Sequence, residues 1–214
     1  MSLDYNSLLL AVGFSAACLS LTLFGIWLTA RTEKFLLTWS ISALLIVGDV
    51  VIYQDYIKAP GRILGIATFT LLLAGFSTML GAAYQFRSGR SPIPLTIFGS
   101  CISLAIALPP MALGYDGLGF VFENLLAALL LFAAAYQYWI GRTEAPVPII
   151  GLAVLYSASA ISFVLCALAL AWDGKLVLGH APSNWAEDLS LVVVIASMTG
   201  IGALSLALNQ GRLA

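Results

Sequence analysis

Phe35-Leu-Leu-Thr-Trp-Ser-Ile-Ser-Ala-Leu-Leu-Ile-Val-Gly-Asp-Val-Val-Ile-Tyr53 is the stretch that decides how this chain folds. It is apolar on every face and carries a single charge, Asp49. A bilayer core about 30 Å thick needs roughly 20 helical residues at about 1.5 Å each. A barrel strand would instead alternate polar and apolar residues over about 10 positions. This stretch has the length of a span and no alternation, so it reads as a transmembrane helix with a carboxyl inside it.

Six more runs of this kind lie around it: Ser7–Leu28, Ile63–Phe86, Ile93–Leu113, Leu118–Ile140, Val147–Trp172 and Leu189–Leu208. The composition agrees. Of 214 residues 61% are hydrophobic and 9% charged, whereas a soluble domain carries about 25% charged residues. The expected fold is therefore all-α, a polytopic seven-helix transmembrane bundle forming one domain over residues 1–214. Its first partner is the lipid bilayer. A net charge of −1 and no basic run leave no footprint for nucleic acid. No charged leader with a small-residue cleavage site precedes the first run, which is expected to stay as a helix.

Lys and Arg set the orientation. Arg31, Lys34, Arg87, Arg90, Arg142 and Arg212 fall on one side, and Lys58, Arg62 and Lys175 on the other. The richer side is the cytoplasmic one, which places the N-terminus outside and the C-terminus inside. Trp27, Trp39, Tyr84, Tyr136, Tyr138 and Trp139 near one set of helix ends, with Tyr53, Tyr56, Trp172 and Trp185 near the other, read as aromatic belts.

Ionisable groups inside a span are costly and point to function. Asp49 and Glu123 both lie roughly 6–9 Å below the outer boundary, from their distance to the helix ends. Pro109-Pro110 is expected to break or kink the fourth helix at a similar level and free its carbonyls. A small or lipid-like ligand could enter an outer-facing cavity lined by Asp49, Glu123 and Tyr115, with His180, Asn184 and Trp185 of the sixth connector as a lid. Asn184, three residues before Glu187, also resembles a capping box that opens the last helix. Two facing carboxyls would share a proton.

Other chemistries lack their residues. One histidine, His180, cannot supply a bis-histidine haem or a converging zinc set. Lys34, Lys58 and Lys175 all fall in connectors, so no lysine is placed for a retinal Schiff base. Cys18, Cys101 and Cys166 lie mid-helix without C-x-x-C spacing and read as buried small hydrophobes. No catalytic residue, metal or cofactor is expected. Gly13/Ala17 and Ala196/Gly200 are small pairs that permit close helix approach.

Trp27-Leu-Thr-Ala-Arg31, Phe35-Leu-Leu-Thr-Trp39-Ser-Ile-Ser, Tyr136-Gln-Tyr-Trp139 before Gly141-Arg142, and the exit Leu208-Asn-Gln-Gly-Arg212-Leu carry a resemblance. The chain resembles the amino-terminal membrane sensor regions of bacterial GGDEF proteins, the diguanylate cyclases. That resemblance implies a homodimer in the bacterial inner membrane, regulating a cytoplasmic cyclase that would follow residue 214. The GGDEF signature itself is absent, as is the Met-His-Tyr-Thr motif of one related sensor class. The functional expectation is a non-catalytic sensory input module for cyclic di-GMP signalling. The alternative is a small permease or channel for a small solute or ion.

Overall fold

The structure, a computed structural model, describes residues 5–213 and the side chains of residues 5–208. It is all-helical across the described residues, with α1 Tyr5–Thr29, α2 Lys34–Lys58, α3 Arg62–Ser88, α4 Ile93–Leu113, α5 Asp116–Ile140, α6 Pro146–Asp173 and α7 Trp185–Leu213. All seven are long and apolar enough to cross a membrane. Each contains the apolar run read from the sequence and most extend past it. Helix geometry continues through flanking polar residues as long as the backbone bonds are internal. Gly89, Gly114 and Gly174 end α3, α4 and α6 at φ of 66°, 91° and 65°, a left-handed cap that glycine adopts without a Cβ penalty.

Short connectors make sequential helices antiparallel, but the bundle does not close in sequence order. The helices form a ring, α1–α2–α3–α5–α6–α7 and back to α1, and α4 packs outside it against α3 and α5. Two neighbouring pairs in the ring, α3/α5 and α1/α7, are therefore parallel. One end of the bundle holds Tyr5 and the starts of α3, α5 and α7; the other holds Thr29.

Small and hydroxylated residues set the helix spacing. A Cβ on Gly13 would meet Val50 Cγ1 at 3.0 Å, and one on Gly75 would meet Ile46 Cγ1 at 3.3 Å. Ser42 Oγ donates to the Gly75 carbonyl at 2.7 Å, and Ser20 and Ser40 exchange bonds across α1 and α2 at 2.9–3.1 Å. Interhelical bonds of this kind contribute about 0.6 kcal/mol each within a membrane.

Three expectations need correction. Pro109-Pro110 does not break α4, which stays helical to Leu113. Pro109 is exposed on the outer side of this peripheral helix, where a lost backbone bond displaces no neighbour. Cys18 and Cys101 are exposed on the bundle exterior and only Cys166 is buried. Three of the ten belt aromatics, Trp39, Tyr56 and Tyr138, also turn inward. Trp39 and Tyr138 are 3% and 1% exposed, and with Tyr156 they form a packed cluster whose ring centroids are 5.5–6.1 Å apart. Phe86 and Phe35 extend this cluster. It fills the middle of the ring toward the Thr29 end. Trp139, Tyr136, Trp172 and Trp185 do stay on the exterior. Arg31, Arg87 and Arg142 stack on Trp27, Tyr84 and Trp139 at 4.8–5.8 Å, all at the Thr29 end.

Candidate site: an acidic cavity in the ring

A ring of six helices leaves a lumen that only large side chains can fill. Near the Thr29 end the Trp39–Tyr138–Tyr156 cluster fills it. Ten residues further along α2, about 15 Å away, a cavity of about 100 Å³ remains. All six ring helices line it, and α4 contributes nothing.

Three carboxyls reach this cavity: Asp49 from α2, Glu123 from α5 and Glu187 from α7. Asp49 and Glu123 are buried, and Asp49 Oδ1 has no hydrogen-bond partner. Glu187 Oε1 is likewise buried and unpartnered. No described Lys, Arg or His lines the cavity. Removing a carboxylate from water without a partner costs several kcal/mol, so this concentration of acid has no structural return of its own. Among the described residues no group of three or more His, Cys, Asp or Glu is arranged to hold a metal ion.

Aromatic rings make up much of the rest of the wall: Tyr5, Tyr53, Phe76, Phe120 and Phe163. Tyr5 donates its hydroxyl to Tyr53 at 3.3 Å, joining α1 to α2 above Asp49. Phe120 is the centre of an edge-to-face set with Phe69, Tyr56 and Tyr53 at 5.1–6.5 Å. The polar groups nearby are largely committed. Asn124 Nδ2 donates to the Phe120 carbonyl, Thr68 Oγ1 to Leu64, and Ser190 pairs with Ser162 across α6 and α7. Asn124 Oδ1 keeps its acceptor capacity.

The two intramembrane acids singled out by sequence are thus in one cavity, but their supposed companions are not. Tyr115 is 46% exposed and lies in the α4–α5 turn. His180 is exposed, its Nδ1 within 2.7 Å of the Ala181 carbonyl. Trp185 is 66% exposed. Asn184 caps α7, its Oδ1 accepting from the N–H groups of Ala186 and Glu187 at 2.9 and 3.1 Å. None of the four lines the cavity. A long connector rich in polar residues invites the reading of a lid, but this one is fastened through its backbone to Asp116 and Leu118. Asp116 Oδ1 accepts from Leu178 N at 2.7 Å, and its Oδ2 from Gly179 N at 2.8 Å. Leu118 N donates to the Leu176 carbonyl at 3.3 Å. The connector is strapped to the start of α5.

Glu187 is the residue that sequence reasoning missed. Its place in the first turn of α7 fits a capping role, and half of the capping box forms through Asn184. The Glu187 carboxyl turns into the lumen instead. Its position three residues before Ser190 and seven before Val194, both wall residues, is the helical signal that could have found it.

No protein-family model, curated protein or solved structure matches this chain.

Proposed function

We propose that the chain is a membrane-embedded sensory module, and that a small ligand bound in the lumen cavity biases the bundle between two arrangements. The observation that carries this reading is the pairing of an unpartnered acidic cavity with an aromatic cluster that fills the lumen beyond it. A permease needs an open route across the membrane; here the packed rings of Trp39, Tyr138 and Tyr156 stand between the cavity and the Thr29 end. A dead-ended cavity suits binding rather than passage. Because three ring helices each bring one carboxyl, a ligand that draws the acids together would shift helices relative to one another, as differential affinity requires.

In this proposal the Tyr5 end faces outward and the arginine-rich Thr29 end faces the cytoplasm, in the inner membrane of a bacterium. A homodimer transmits the shift of α7 to a cytoplasmic domain, a diguanylate cyclase by the resemblance of the Trp27–Arg31 and Phe35–Ser42 segments. The test is the cyclic di-GMP level in cells carrying the native full-length protein, its E123Q variant or its D49N variant. Both variants are expected to change the output at least twofold under activating or resting conditions. Levels indistinguishable from the parent in both conditions would overturn the proposal. Uptake of a small solute into proteoliposomes would favour a permease instead.

A further inference from the structure

The cavity wall also constrains what fits inside, an inference that rests on the lumen being a binding site. We infer that its ligand is a small organic cation of the methylated-ammonium class.

Charge comes first. Asp49, Glu123 and Glu187 line the lumen with no described base among the wall residues, and Asp49 Oδ1 has no hydrogen-bond partner. These carboxyls attract a cation and repel an anion. Wall chemistry comes second. Tyr5, Tyr53, Phe76, Phe120 and Phe163 present five rings, and aromatic faces attract cations, quaternary ammonium groups above all. A bare ammonium or alkali ion would also need a shell of hydrogen-bonding or coordinating oxygens. Carboxyl oxygens and Asn124 Oδ1 supply part of such a shell, but most of the wall is aromatic or aliphatic. Leu9, Val12, Ile46 and Val194 suit N-methyl groups, which need no acceptor. Size comes third. The volume is about 100 Å³, below the roughly 150 Å³ of a cavity that binds benzene, which limits the guest to a single small head group.

Tetramethylammonium chloride titrated into the full chain in nanodiscs tests this, with tert-butanol as the uncharged partner of similar size and ammonium and sodium chloride as the other arms. Isothermal calorimetry is expected to give saturable binding of tetramethylammonium, at least tenfold tighter than tert-butanol and ammonium. The D49N and E123Q variants should each weaken it at least tenfold, and F163L several-fold. The wild-type selectivity series needs no variant to fold. Equal affinity for tert-butanol, preference for ammonium or sodium, or no saturable binding of tetramethylammonium would overturn the inference. Binding with unchanged cyclic di-GMP would instead count against the sensory role alone, so the two failures are distinguishable.

Discussion

Asp116 and Glu123 stand on the same face of α5, separated by Phe120, and the chain uses their carboxyls in opposite ways. Asp116 is saturated: it accepts from Gly117, Leu178 and Gly179 and so holds the α6–α7 connector in place. Glu123 faces a cavity that offers no base. Charge-assisted bonds are worth about 1.5–3 kcal/mol each when a partner is removed, so Asp116→Ala should release the connector locally. Hydrogen exchange at residues 176–181 is expected to rise at least tenfold in that variant while α2 and α3 stay protected. Uniform loss of protection throughout the bundle would show that Asp116 supports the fold and not the strap. Asp49 and Glu123 could be found from sequence because a lone carboxyl inside an apolar run has no cheap explanation. Glu187 could not, because a carboxyl in a first helical turn already has one.

At the scale of the element, seven spans were legible because length and apolarity are properties of a run. Which face of each run turns inward was not, because lipid and lumen are both apolar and leave little periodic contrast. That is why Trp39 and Tyr138 read as interfacial belts from their position near helix ends, though they fill the ring. It is also why nothing in Ile93–Leu113 announces that α4 stands outside. Where helices approach closely, small residues do mark the contact. At Gly75 the α3 backbone lies against Ile46 and Ser42, and Ser42 bonds the Gly75 carbonyl. Gly75→Val should push α2 from α3 and break that bond, at about 1–3 kcal/mol of overpacking cost. The thermal midpoint of the purified variant is expected to fall, and Gly25→Val, at a position with open space, should leave it near the parent value. Equal effects of the two substitutions would contradict this packing.

For the whole molecule, the filled lumen makes a definite statement about leakage. Liposomes containing the parent chain should hold a proton gradient. Replacing Tyr138 and Tyr156 together with Ala removes two stacked rings and should raise the proton leak several-fold in a pH-dye assay. An unchanged leak would mean that other side chains close the path. Orientation is checked separately in a background lacking Cys18, Cys101 and Cys166. Cysteine at Lys58 should react with an impermeant maleimide added to intact cells, and cysteine at Arg142 only after lysis. The reverse pattern would invert the proposed topology. The ring has one further consequence, which concerns assembly in time. Contact between α1 and α7 spans nearly the whole chain, and contacts of such separation form late because loop closure must come first. During synthesis the first six helices can gather around Asp49 and Glu123 only as an open furrow. The cavity exists only once α7 docks beside α1, so the site is the last part of the bundle to be made, and Glu187 arrives with the helix that closes it.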